Sequence, residues 1–153
     1  MKTFQRLFIC TLILGGCLAQ TAFSASPIVV DTSNSPHARL RGAGLDEVRW
    51  TEGFWADRFQ TVRDVTLPSL YKAAADPDHG HAVANFRIAA GLEDGEFVGT
   101  NWHDAWVYKW IEAASAVYEI TRDPELDARM DALIAIIAKA QQPDGYIATQ
   151  NIV

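Results

Sequence analysis

A chain of 153 residues is long enough for one domain with a core of its own. Its formal net charge of −6, with no basic stripe, gives no electrostatic reason to expect nucleic acid as a partner. With 49% of the residues hydrophobic, disorder is not the default reading.

Residues 1–24 read as a targeting signal. Lys2 and Arg6 form a positive start, and LFICTLILGG is an apolar stretch too short to span a bilayer. Two processing routes stay open. Ala22-Phe23-Ser24 offers small residues at −3 and −1 of an ordinary cleavage site before Ala25. Leu14-Gly15-Gly16-Cys17 resembles a bacterial lipobox, which makes Cys17 a candidate for lipidation and gives the chain its one route to a membrane. Either route exports the protein, to the periplasm, the medium or a lipid anchor at the cell envelope. The only cysteines are Cys10 and Cys17, so the processed chain keeps none, or one that carries lipid. An internal disulfide, a cysteine-type zinc cluster and a catalytic thiol are thereby excluded from this chain.

Residues 25–47, rich in Ser, Pro, Gly and Asn, read as a leader or loop before a domain over 48–153. Val48-Arg49-Trp50 fits a short strand. From Trp55 the spacing turns helical, with Trp55, Phe59, Val62 and Thr66 on one face. Pro68 forces a kink or restart, and the helix stops before Asp76-Pro77. Residues 76–103 form a long connection punctuated by Gly80, Gly91, Gly95 and Gly99, with room for a short helix around NFRIAAG. Connections of that length inside a domain are uncommon and often functional.

A second helix is expected from about Asp104 to Thr121. Val107, Trp110, Ile111, Ala114, Val117 and Tyr118 form a broad stripe, and Ala105, Ala113, Ala116 and Ile120 leave the rest small or apolar. A helix apolar nearly all round belongs in an interior. Asp123 as N-cap, Pro124 and Glu125 start a third helix that runs to about Gln142. Its face is Leu126, Met130, Leu133, Ile134 and Ile137, with Ile136 on the polar side, and Pro143-Asp144-Gly145-Tyr146 ends it. The fold class is therefore all-α, with helices outer, inner and outer. Three helices leave much of an all-apolar inner one wet, and the chain stops directly after a turn, so it reads as the truncated N-terminal part of a larger helical domain.

If neighbouring helices are antiparallel, Asn101, Trp102, His103 and Asp104 share a rim with Asp144 and Tyr146. Sugars present both C–H faces and hydroxyls, and their sites pair flat aromatics with carboxylate, amide and imidazole groups. Asn101, Trp102, His103 and Asp104 are the candidate substrate-binding residues on that argument, with Asp144 and Tyr146 as rim. Asp104 also fits a plain N-cap, and Trp110 and Trp106 fit a core. His79 and His81 lack a third metal ligand, and nothing fixes the separation of Glu93, Asp94 and Glu96 for acid–base work. No catalytic residue and no metal ligand is assigned within this chain.

GTNWHDAWVYKWIEAAS, the T-R-D-P-E-L turn and the AQQPDGY run, in that order and spacing, resemble the N-terminal part of the glycoside hydrolase family 127 domain. FWADRFQTVRDVTLPSLY is similar to the segment that precedes them, so the resemblance covers about residues 48–150. It implies the first three helices of an (α/α)6 barrel. It also implies hydrolysis of a terminal β-L-arabinofuranosyl or related bond in arabinose-containing plant-type glycans. The nucleophile would be a cysteine held near zinc by other cysteines and a glutamate. Those groups lie downstream in the family, so this chain would be inactive as it stands. What carries over is the loop position of His103 and Asp104, facing the sugar. The chain departs from the family where many members read Asp-Ser-Asp-Val: here Asp104-Ala105-Trp106-Val107 puts a tryptophan in place of the second aspartate. The alternative reading is a non-catalytic carbohydrate-binding or helical interaction module.

Overall fold

The computed structural model describes residues 29–153; the targeting segment, with Cys10, Cys17 and the cleavage site before Ala25, lies outside the described residues. All regular structure among the described residues is helical. Helix α1 spans Phe54–Thr61, a π-helical turn Val62–Thr66, α2 Leu67–Ala75, α3 Ala82–Ala89, α4 His103–Thr121, α5 Pro124–Ala140 and α6 Thr149–Ile152. Residues 29–47 carry turns and no helix or strand. The strand expected at Val48–Trp50 does not form. It has no second strand to pair with, and Trp50 instead lies against Phe59, with ring centroids 6.0 Å apart.

The π turn corrects the expected face of the first helix. Pro68 has no N–H to donate, and its ring crowds the carbonyl one turn back, so the helix widens before it; the Leu67 N–H reaches Val62 O. Such a turn adds one residue. Counting from Phe59 at helical spacing points to Thr66, but the inward position falls to Leu67, and the face continues at Ala74. Ala56 is buried in place of Trp55, which is 64% exposed, and Val62 also faces out. The expected stop holds: α2 ends at Ala75, and Asp76 Oδ1 accepts the N–H of Asp78 at 2.8 Å and of His79 at 3.1 Å.

The connection is more structured than its glycines suggest. The NFRIAAG segment forms the second half of α3, which packs against α2, α4, α5 and α6. Gly80 allows the approach: a Cβ there would lie 1.7 Å from the Ala73 carbonyl oxygen. Phe86 is buried and meets Tyr108 edge to face at 5.7 Å.

Helix α4 buries Val107, Trp110, Ala114 and Val117, and packs against α2, α3 and α5. Its remaining small residues, Ala105, Ala113, Ala116 and Ile120, are only partly buried. Trp110 sits where α2 and α4 meet. Its Nε1–H donates to Leu67 O at 2.8 Å, and its ring is 5.1 Å from Tyr71. The next turn is built as expected: Arg122 takes φ 55°, and Asp123 accepts the Glu125 N–H at 2.9 Å. Helix α5 stops at Ala140, two residues early, and its core face keeps Leu126, Met130, Leu133 and Ile137 as expected, with Ile136 in place of Ile134. Met130, Leu133 and Ala140 are buried, Ile136 packs on the core, and Ile134 is exposed. Arg129, on the side of Ile136, stacks over Tyr71 at 4.7 Å, which turns that side inward.

Beyond the Pro143–Tyr146 turn, α6 packs on α3 and is clasped to the start of α4. The Thr149 N–H and Oγ–H donate to the two oxygens of Asp104 at 2.9 and 2.6 Å, and Thr149 is fully buried.

Two stability measurements test this packing. Trp110→Ala is expected to lower unfolding free energy by about 3–5 kcal/mol, and Trp110→Phe, which removes only the indole donor, by about 1 kcal/mol. A change of a few tenths for Trp110→Ala in urea unfolding contradicts its place in the core. Thr149→Val, which keeps shape and removes the hydroxyl, should cost about 1–3 kcal/mol and speed hydrogen exchange through residues 149–152. Unchanged exchange there would mean that α6 is held by something else.

Candidate functional site

The start of α4, the loop before it and the segment after α5 meet at one edge of the molecule. The Asp104–Thr149 clasp makes the junction, across 45 residues of sequence. The contact that joins the two segments is made by Asp104 and Thr149; the side-chain hydrogen bonds of Asp144 and Tyr146 stay within residues 144–151.

Each candidate residue has a distinct setting. Asn101 and Trp102 are exposed, Trp102 by 60%, and neither side chain makes a hydrogen bond among the described residues. His103 is the first residue of α4 and is buried, with 8% of its surface exposed. Its ring lies 5.0 Å from that of Trp106 at an interplanar angle of 33°, and its Nδ1 is buried without a hydrogen-bond partner. A buried ring nitrogen left unpaired costs about 1–3 kcal/mol, so this atom calls for an explanation. Asp104 is not the N-cap. The helix begins one residue earlier, Trp102 occupies the cap position without a side-chain bond, and the Asp104 carboxylate serves Thr149. Asp144 accepts the Tyr146 N–H at 2.9 Å, which tightens the turn. Tyr146 is half-exposed, and its hydroxyl accepts from Asn151 Nδ2 at 2.6 Å.

Two neighbours on α4 complete the edge. Trp106 is half-exposed and borders an apolar cleft with Leu70 and Ala73 of α2 and Ala113. Burial, and then the negative charge of Asp104 one turn earlier, raise the Tyr108 phenol above its ordinary value.

Sequence reasoning missed two residues that build this edge, Asn85 and Thr149. Asn85 is buried in α3, and its amide binds both backbone groups of Val98 at 2.9 and 3.1 Å. A polar residue among apolar ones in a short helix is the signal that was available, since a buried amide must be bonded. Thr149 carries the weaker signal of a helix-start residue near the end of the chain.

His79 is exposed beside Asp76 at 3.3 Å, and His81 takes φ 55° before α3. The Asp78 N–H first, and the His79 side chain after it, hold the Asp76 carboxyl below its ordinary value. Glu93 pairs with Arg87. No group of three His, Cys, Asp or Glu side chains comes together among the described residues, so these residues do not fit the zinc that the resemblance implies.

Comparison with known proteins places the chain. Residues 47–153 match the family model for the β-L-arabinofuranosidase GH127 catalytic domain. A non-reducing end β-L-arabinofuranosidase of Bifidobacterium longum subsp. longum is 49% identical over 115 residues, covering 65% of this chain and 18% of that protein. The crystal structure of a GH127 β-L-arabinofuranosidase from Geobacillus stearothermophilus T6 is similar at 39% identity and a TM-score of 0.65, over 69% of this chain and 17% of that one. The chain thus spans less than a fifth of the length of these relatives. With the ordered motifs, the helical packing and the family match all in agreement over residues 47–153, the chain belongs to the GH127 glycoside hydrolase family.

Proposed function

We propose that this chain is the N-terminal part of an exported glycoside hydrolase that releases terminal β-L-arabinofuranosyl or related residues from arabinose-containing plant-type glycans. The observation that carries the reading is the edge at the start of α4. There an exposed indole (Trp102) immediately precedes a buried imidazole (His103) that lies tilted against a second indole (Trp106). Flat carbon faces beside a ring nitrogen suit a furanose, which offers C–H faces and hydroxyls together. In this reading Trp102 and Asn101 meet the sugar from the loop, His103 bonds a hydroxyl, and Asp144 and Tyr146 form the rim. Asp104 acts from behind, holding the far side of the rim through Thr149. The helices are the first members of an (α/α)6 barrel, with α4 as an inner helix. The nucleophile and the zinc belong to the part of the family domain outside this chain. Export rests on the leader, through cleavage before Ala25 or lipidation at Cys17.

The intact mass of the native protein and its hydrolysis of p-nitrophenyl β-L-arabinofuranoside test the reading together. A mass several times that of this chain, an N-terminus at Ala25 or a lipidated Cys17, and release of nitrophenol are expected. In that protein His103→Ala should lower kcat/KM about tenfold or more while the melting temperature holds, as for a lost hydrogen bond of about 1.5–3 kcal/mol. Unchanged kinetics would remove His103 from the sugar site. A native protein the size of this chain that binds the furanoside without cleaving it would favour a non-catalytic sugar-binding module.

A further inference from the structure

We infer that Asn85 is a positioning residue for His103, acting through Val98 and Gly99; this rests on the reading of the His103 edge as sugar-binding. The side chain of Asn85 is 1% exposed and fully engaged. Its Nδ2–H donates to Val98 O at 2.9 Å, and its Oδ1 accepts the Val98 N–H at 3.1 Å. An amide bonded to both backbone groups of one residue fixes that residue in position and orientation, as a neighbouring strand would. The Val98 side chain is 46% exposed, so the amide and not burial holds it. Among the described residues these are the only hydrogen bonds that tie residues 94–102 to a helix other than α4, which takes its own from Thr100 O and Trp102 O.

The next residue transmits the constraint. Gly99 has φ +111° and lies so close to the imidazole that a Cβ would stand 2.2 Å from His103 Cε1 and 2.3 Å from Nδ1. Only glycine takes that backbone conformation at no cost and leaves that space. The ring also rests on Trp106, and no hydrogen bond holds its buried Nδ1. Contact alone fixes the imidazole, so the loop must stay where Asn85 puts it. A group that bonds a sugar hydroxyl must be held to within about 0.5 Å, and a misplacement of about 1 Å costs up to about a hundredfold.

The test uses the full-length protein isotope-labelled at histidine Cε1, with the His103 signal assigned by its loss in His103→Gln. Binding of methyl β-L-arabinofuranoside is followed in parallel by tryptophan fluorescence. Asn85→Ala frees the loop. Gly99→Ala leaves Asn85 and its bonds intact but inserts a methyl where the ring stands. Both are expected to move the His103 resonance out of the Trp106 ring current and to weaken binding about ten- to hundredfold. Asn85→Asp, which keeps the acceptor for the Val98 N–H, should move the signal less. An unmoved His103 resonance in folded Asn85→Ala, or in Gly99→Ala, overturns the proposal. Should Asn85→Ala fail to fold, Asn85→Asp and Gly99→Ala decide in its place by the same criterion. A parent protein that binds no furanoside would sink the sugar-site reading alone, because the resonance still reports whether Asn85 sets the ring.

Discussion

An indole N–H taken out of water must find an acceptor, and the packing of this chain turns on where Trp110 finds one. The acceptor is the carbonyl of Leu67, the first residue after the π turn. Pro68 causes that turn, and the turn shifts the inward face by one residue, from Thr66 to Leu67. A regular helix would have put the threonine there. The widened turn therefore does two things at once: it accommodates a residue without an N–H, and it sets a buried carbonyl opposite the one α4 side chain that needs it. Tyr71, a turn further along α2, packs on the same indole and carries Arg129 of α5 on its own ring. Three helices are thus keyed to one another through Trp110 and its neighbours.

With α4 fixed along its length, its first turn becomes a platform, and three different elements converge on it. Asn85 of α3 holds the incoming loop through Val98. Gly99 presses on the His103 ring from that loop. Thr149 of α6 closes on Asp104 from the other side. Each uses a different physical device, namely a side chain standing in for a strand, the absence of a Cβ, and a charge-assisted clasp. The long connection, with loop closure to offset, is anchored in the core by a buried amide.

How much of this was legible follows from which forces are local. Helix ends written in proline and aspartate could be read directly, as at Asp76-Pro77 and Asp123-Pro124, because capping depends on a few adjacent residues. The buried face of α4 was legible because its period is unbroken from Val107 to Val117. The face of the first helix was not, since one residue added by the π turn rephases everything after it. Ile136 and Ile134 exchanged places because Arg129 lies over an aromatic ring on another helix, and nothing in the sequence of α5 reports that ring. Asn101, Trp102, His103 and Asp104 could be singled out by composition. The partner of Asp104 could not, because hydrogen bonds across 45 residues leave no spacing to read.

The polar groups of the edge are largely engaged with one another. Asp104, the candidate carboxylate closest to the His103–Trp106 pair in sequence, has both oxygens engaged by Thr149. Tyr108, one turn along, is made a weaker acid by burial and by that same carboxylate. Asp144 is occupied with the backbone of its own turn, and the Tyr146 hydroxyl with Asn151. The Trp106 ring lies against His103 and borders the α2–α4 cleft. What these residues offer a ligand is aromatic surface and one imidazole, not a poised acid and base. Such an edge can hold and orient a sugar by stacking and by hydrogen bonds to its hydroxyls. In the proposed reading, protonation and attack at the glycosidic bond fall to groups elsewhere in the domain, and this edge only holds the sugar.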